Sequence, residues 1–222
     1  MSEAITASAR SRGEQRRAQT RAALVRAAQQ LIAEDRTAVP VLEITRLADI
    51  GMGSFYNHFS SKEELFAAAV DDALELQGTL LDAATEGLDD PAEAFALSYR
   101  VTGRMHRLEA RLSRVLLSRG PSLITGDLGL APRARRDIAA AIEAGRFTIS
   151  DADIGLLVAG GTAMTLGQAI HDAPEVDDAA LTDRVTTELL VMFGLPASEA
   201  ARICALPLPD LGGLAAPALS HP

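Results

Sequence analysis

The chain has 222 residues, 48% of them hydrophobic and 23% charged, a balance that can bury a sizeable core and excludes a low-hydrophobicity disordered chain. Its single cysteine, Cys204, excludes an internal disulfide and a multi-cysteine metal site, and reads as a small buried apolar residue. The formal net charge of −9 argues at first against nucleic acid, whose affinity comes largely from neutralised phosphates. That charge is unevenly spread. Residues 1–62 carry nine Arg/Lys against six acids, whereas the remaining 160 residues carry twelve Arg against 24 acids, so a mildly basic head precedes a strongly acidic body. With aromatics at 4% and Ala and Leu dominant, an all-α fold is expected. Apolar runs fall short of about 18 residues and no leader is apparent, so a cytoplasmic protein without a membrane partner is expected.

Residues 1–13 show no periodicity and are expected to form a disordered basic arm, and the basic run Arg10–Arg21 is expected to be either solvated or in contact with phosphates or the minor groove. From Glu14 the pattern turns helical, with Leu24, Ala27, Ala28, Leu31 and Ile32 on one stripe that ends near Asp35. Pro40 opens a brief second helix carrying Val41, Ile44, Leu47 and Ala48. Asp49 to Gly51 make a tight turn, and a third short helix spans Met52 to Phe59. Ser61 and Glu64 have the form of a capping box for a long amphipathic helix reaching about Gly87. Asp90, Pro91 and Glu93 suit the N-cap, N1 and N3 positions of a helix reaching about Ser118. Residues 119–131 are irregular or hold a short helix. Helices are then expected over Pro132–Ala144, from a Ser150/Asp153 cap to about His171, and over Asp178–Phe193, before a loose tail over 206–222. The organisation expected is an arm (1–13), a head (14–61), a helical body (62–205) and a tail (206–222).

Three short helices packed through Leu24, Leu31, Ile44, Leu47, Ile50, Phe55 and Phe59 form a helix-turn-helix head. In that arrangement the second helix of the pair enters the major groove by its N-terminal residues. Phe55 and Phe59 would anchor the short helix, leaving Met52, Ser54, Tyr56, Asn57 and His58 on or near its outer face. Gly51 and Gly53 remove side-chain bulk where backbone could approach DNA. Ser54 and Tyr56 hydroxyls suit phosphates, and Asn57 and His58 suit base edges. Lys62, the only lysine, sits in the first turn of the next helix beside free N–H groups, a phosphate-binding arrangement. Arg46 completes the candidate DNA-contact set.

These residues resemble the tetracycline-repressor (TetR) family of bacterial transcription regulators. The resemblance covers roughly 45 residues: a helix ending AAQQLIAE, then EITRLADIGMGSFYNHFSSKEELF. It implies that Tyr56 and Lys62 contact phosphates while Met52, Gly53, Asn57 and His58 meet the groove. Three positions depart from the family pattern: Asp49 where Gly is usual, Gly51 where Ser often caps, and Pro40 where Thr often caps. Asp tolerates left-handed geometry, Gly is an acceptable N-cap and Pro suits a first helical position, so the fold is expected to survive, with the operator preference altered.

For the body the resemblance implies a homodimer through helices 151–171 and 178–193, a pocket in each subunit for an unknown small-molecule effector, and an inverted-repeat DNA partner. The residues agree: the 151–171 helix is apolar nearly all round, and its Gly160, Gly161, Ala163 and Gly167 permit close approach of a helix or a ligand. Candidate pocket residues are Phe95, Tyr99, Met105, His106, Met164, Gln168 and His171. His106 and His171 lack His-x3-His spacing and are not read as a metal site, and no cofactor is expected. Arg100, Arg104, Arg107, Arg111 and Arg114 recur along one helix and are expected to form a solvated face bridging acids, with an anionic effector as the alternative. No Gly-x-Ser-x-Gly, phosphate-cradling glycine loop or informative carboxylate pair supports an enzyme. The expected function is a ligand-released repressor; the alternative is a helical interaction module whose head no longer reads DNA.

Overall fold

The computed structural model describes residues 2–126 and 129–210, with only the backbone helix described over 2–12. Among the described residues all regular structure is helical. The chain divides into two compact units, Met1–Asp72 and Ala73–Pro222, and the division falls within a helix.

The first unit holds α1 (Ser2–Ala33), α2 (Val41–Leu47), α3 (Met52–Phe55) and the start of α4 (Lys62–Thr85). Helix α1 begins at Ser2 where a disordered arm was expected, because lack of an apolar stripe removes packing but not the helix propensity of Ala, Glu, Gln and Arg. Leu24, Ala28, Leu31, Ile44, Phe55, Leu65 and Ala69 are fully buried, forming a core shared by all four helices. Leu47 is 40% exposed and does not join them; the inward position is taken by Thr45, whose hydroxyl donates to the Leu42 carbonyl at 3.1 Å. Buried Gln29 donates from Nε2 to the Ala69 carbonyl (3.2 Å) and to Asp72 (3.0 Å), tying α1 to α4.

The turn after α2 is built by Asp49 at φ 55°, with the Ile50 N–H reaching back to the Thr45 carbonyl at 3.0 Å, a left-handed C-terminal cap. Pro40 is the N-cap of α2, outside its first turn, and supplies no side-chain bond. At α4 the Glu64 N–H donates to Ser61 Oγ (3.1 Å), as a capping box requires. The return bond goes elsewhere: the Glu64 carboxylate accepts from the Ser60 N–H (2.7 Å) and hydroxyl (2.6 Å), which hold its pKa below the usual carboxylate value.

The second unit contains the rest of α4, then α5 (Pro91–Leu108), α6 (Ala110–Ser118), a 3-10 turn (Gly120–Leu123), α7 (Leu130–Glu143), α8 (Ala152–Asp172), α9 (Asp178–Met192) and α10 (Ala197–Cys204). Helix α5 is the hub, packed by α7, α8, α9 and α10. Asp90 caps it, accepting from the Ala92 N–H at 2.9 Å, with Pro91 next in the first turn. Phe95, Phe147 and Phe193 stack edge-on or tilted with centroids 5.1–5.7 Å apart at the centre of the core. A β-carbon at Gly103 would come within 2.3 Å of Thr182, which is why α5 and α9 can cross so closely.

Four expectations for this unit change. The helix expected to run to Ser118 breaks at Glu109 (φ −115°, ψ 51°), turning α6 away from α5, at a place with no proline or glycine to announce it. Asp151, not Ser150, caps α8, accepting from the Ile154 N–H at 2.8 Å. A further helix, α10, buries Ala200, Ile203 and Cys204. The arginine stripe bridges acids as expected but is solvated only in part: Arg111 and Arg114, on α6, are exposed, whereas Arg100 and Arg104 on α5 are largely covered. Arg100 is 5% exposed and donates to Asp183 (2.8 Å) and the Leu206 carbonyl (2.8 Å), while Arg104 donates to both Asp183 oxygens at 2.9 Å. Most of the expected tail, residues 211–222, lies outside the described residues. Helix α8 is long and apolar enough to cross a membrane by composition, with mean hydropathy 1.2, although short apolar runs suggested otherwise; here it packs against α5 and α7.

Candidate DNA-contact surface and effector cavity

On the first unit, α3 is a single turn of four residues and its chain continues as a non-helical turn through Tyr56–His58, shorter than the eight-residue helix expected. Phe55 is fully buried and Phe59 nearly so, with centroids 6.1 Å apart, and this pair pins the segment from beneath. Met52 (45%) and Tyr56 (59%) are exposed, as are Gly53, Asn57 and Arg46; Ser54, His58 and Lys62 are half-buried. A β-carbon at Gly51 or Gly53 would meet nothing within 4 Å, so the backbone there is open to an approaching molecule. The Tyr56 ring stands edge-on to Phe55 at 5.2 Å. Lys62 Nζ donates to the Val39 carbonyl at 3.5 Å. Arg17 and Arg21 of α1 also face this surface: with burial as the larger cause, their charges lower the pKa of His58, and the Arg21 guanidinium lies 5.2 Å from the Phe59 centroid. All eight candidate contact residues therefore fall on one compact unit, beside two further arginines.

The second unit holds a largely apolar, partly open cavity of about 170 Å³ between α4, α5, α6, α7 and α8. Its wall includes Leu74, Leu81, Phe95, Leu116, Ile124, Leu130, Leu156 and Met164. Two buried polar atoms in lining residues, Tyr99 Oη and His106 Nε2, have no hydrogen-bond partner in the protein. Burial raises the pKa of the Tyr99 hydroxyl. Burial, then the neighbouring His171, holds His106 down at about 4 against a smaller opposing pull from the Ala163 backbone, so its ring is neutral near pH 7. Asp82, Arg133 and Asp137 supply the remaining charged part of the wall. Arg133 Nε donates to Asp82 at 2.7 Å and Arg136 donates to both Asp82 (2.7 Å) and Asp137 (2.9 Å). Asp82 is buried enough to resist ionisation, yet these arginines win and lower its pKa; for Asp137 burial wins and the pKa is raised.

Of the pocket residues expected from sequence, Phe95, Tyr99, His106 and Met164 line this cavity. Met105 is buried in the core outside it, one helical position round from His106. Gln168 and His171 line a different, polar cleft with Arg114, Leu117, Ser118 and Asp172. The polar group Asp82, Arg133 and Asp137 escaped sequence reading. The i, i+4 spacing of Arg133 and Asp137 was visible, but nothing local tied it to Asp82 on α4. Two of the small residues of α8 serve contacts within the subunit: a β-carbon at Gly160 would lie 2.9 Å from Ile124 and one at Gly167 2.5 Å from the His106 ring, whereas one at Gly161 would meet nothing within 4 Å. Among the described residues no group of three His, Cys, Asp or Glu gathers to hold a metal.

Comparison with known proteins accords with this arrangement. Residues 90–205 match the tetracyclin repressor-like C-terminal domain, and residues 23–69 match the bacterial regulatory proteins of the tetR family. The structure of RolR in complex with its ligand resorcinol is similar over 89% of this chain and 98% of that one, with 39% identity and TM-score 0.73. RolR without ligand gives 36% identity over 85% of this chain and 98% of that one, with TM-score 0.69. A tetR-family transcription regulator of Shewanella sp. PV-4, 16% identical over 80% of this chain and 99% of that one with TM-score 0.58, shares the fold. A search of curated proteins finds no match. The chain thus belongs to the TetR family of DNA-binding transcriptional regulators, with a helix-turn-helix head and a ligand-binding helical body, and is not an enzyme.

Proposed function

We propose that this protein is a homodimeric repressor, released from an inverted-repeat operator when a single-ring hydroxylated aromatic molecule fills the cavity. The observation that carries the reading is the pairing of an apolar cavity of about 170 Å³ with two buried, unpartnered polar atoms, Tyr99 Oη and His106 Nε2. A dry cavity of roughly 150 Å³ takes one benzene ring. Buried polar atoms left without partners cost about 1–3 kcal/mol each, a cost that ring hydroxyls would relieve. The likeness to RolR, crystallised with resorcinol, supports the same ligand class. Asp82, Arg133 and Asp137 offer further partners for a second hydroxyl.

Self-association through α8 and α9 is supported by the exposed apolar side chains Ile154 (49%), Leu157 (59%), Val191 (37%) and Met192 (60%). Two heads related by a two-fold axis would read half-sites one helical turn or more apart. In this reading Tyr56 and Lys62 bind phosphates, Met52, Gly53, Asn57 and His58 meet the groove, and Ser54 and Arg46 flank them. A ligand that prefers a dimer with differently spaced heads lowers operator affinity by the difference between its two affinities.

The test is selection of a duplex from a random library by the full chain, followed by fluorescence anisotropy of that duplex with increasing resorcinol. A palindromic duplex released by resorcinol supports the reading. Recovery of no palindrome overturns the operator assignment, and a duplex indifferent to resorcinol while other single-ring phenols are equally inert overturns the ligand class.

A further inference from the structure

His106 is connected through the protein to the polar cleft that lies beyond the cavity wall. Its Nδ1 is 2.7 Å from Ser113 Oγ on α6, and the same oxygen is 2.8 Å from His171 Nε2 on α8. Ser113 is 3% exposed, and the two rings lie 6.4 Å apart at 79°. His106 closes the cavity at one end of this chain, and His171 lines the cleft at the other. The ring of His106 is seated on Gly167, where any side chain would collide with it, so the geometry of the chain is held by packing as well as by hydrogen bonds.

Counting hydrogens gives the chain two senses. Ser113 has one hydroxyl hydrogen to share between two ring nitrogens. If it donates to His171 Nε2, His106 must carry its hydrogen on Nδ1, and the bare Nε2 of this cavity-lining residue is a buried acceptor. If Ser113 donates to His106 Nδ1, His171 must donate from Nε2, and neutral His106 carries its hydrogen on Nε2, a buried donor. A doubly protonated His171 must donate to Ser113, which rules out the first sense and frees the Ser113 hydrogen for His106 Nδ1, the bond that favours the second. The hydrogen count on the His106 ring stays at one throughout; only its position changes.

We propose that Ser113 and His171 are positioning residues that set the hydrogen-bonding sense of His106 inside the cavity, so that the proton state of the outer cleft selects how an effector hydroxyl is held. The proposal rests on the reading of the cavity as the effector site. His106 stays neutral because of burial, whereas His171 is half-exposed and open to protons from the cleft. Around His171 the charged groups are Arg114 on α6 and Arg107 on α5, which disfavour its protonation after burial, and Asp172 on its own helix, which favours it. Asp172 in turn accepts from Gln168 at 2.8 Å. Around His106 the ionisable neighbour is His171, with the Ala163 backbone opposing. A phenolic hydroxyl donates better than it accepts, because its lone pair is drawn into the ring. Protonation of His171 therefore weakens the hold of His106 on a phenol.

The experiment is long-range proton–nitrogen NMR of the full chain labelled at its four histidines, assigned with His→Gln variants and followed from pH 8 to 5. The expected result is that His106 remains neutral but moves to the Nε2–H tautomer as His171 titrates, below the ordinary histidine value. In Ser113→Ala, His171 still titrates and His106 no longer follows. In His171→Gln, which keeps the buried serine, His106 holds one tautomer across the range. A His106 ring that ignores His171 titration in the unmodified protein, or follows it equally in Ser113→Ala, overturns the proposal. Resorcinol titrations add a second arm. Affinity should fall about two- to tenfold as His171 protonates, the worth of one hydrogen bond, and stay flat with pH in Ser113→Ala. Resorcinol that fails to bind at any pH refutes the ligand reading alone, because the NMR result needs no ligand.

Discussion

Replacing Gly167 with alanine sets two effects of known size against each other. Gly167 lies within α8, where alanine gains about 1 kcal/mol of helix propensity over glycine. The new β-carbon, however, would stand 2.5 Å from His106 Cε1 and 2.6 Å from Nδ1, distances that a side chain cannot tolerate. Moving the ring costs about 1–3 kcal/mol of overpacking, and breaking its bond to Ser113 about 0.5–1.5 kcal/mol more. The net effect is a loss of about 0.5–3.5 kcal/mol, a fall in melting temperature of roughly 1–14 °C for a chain of this length. Thermal unfolding at fixed protein concentration reads it, since a self-associating protein melts at a concentration-dependent temperature. The decisive comparison is the same substitution in a His106→Ala background. With the ring gone the clash is gone, and Gly167→Ala should now stabilise by up to about 1 kcal/mol. Equal destabilisation in both backgrounds would refute the claim that Gly167 exists to seat His106.

Three other outcomes are expected. Tyr56→Phe and Lys62→Ala should weaken binding to every duplex, with Lys62→Ala reducing the salt slope by about one, whereas Asn57→Ala should alter sequence preference; gel-shift titrations at several salt concentrations measure all three. Asp183→Ala leaves Arg100 buried with only the Leu206 carbonyl and should cost about 3 kcal/mol in denaturant unfolding. Asp183 is held below its ordinary pKa by Arg100 and Arg104 in spite of burial. Its contribution is thus complete above the unfolded carboxylate value of about 4 and lost as pH falls through the lower folded value, so the variant should show a shallower acid slope than the parent. Leu157→Glu places a charge at the most exposed large apolar side chain of α8 and should leave a folded monomer by light scattering if α8 forms the dimer interface.

What could be read from the residues in order was whatever is held by bonds between near neighbours. Asp49 in the left-handed turn, Asp90 and Pro91 at the start of α5, and Ser61 before Glu64 each satisfy backbone groups within a few positions. The spacing of Phe55 and Phe59 likewise revealed a segment anchored from one side, although the helix itself ends at Phe55. Local rules also failed locally: Leu47 fits an apolar stripe yet faces outward, because a two-turn helix has room for few inward positions and Ile44 and Thr45 occupy them.

The cavity was legible only as a list of plausible linings. Tyr99 and His106 look like ordinary core residues in sequence, and it is their lack of a partner after burial that sets them apart. Asp82 meets Arg133 across 51 residues, Arg100 meets Asp183 across 83, and Ser113 meets His171 across 58. No periodicity encodes such meetings, since each depends on where a helix ends and how the next one crosses it. The break at Glu109 is the clearest case: by turning α6 it brings Ser113 between two histidines that the sequence alone leaves unrelated. The sequence by itself determined the family, the helical class and the DNA-reading head, because those follow from short-range capping and one stripe of anchors. The tertiary structure alone decided which polar residues line the cavity and which of their atoms are buried without a partner, because that is settled by the crossing of helices distant in the chain.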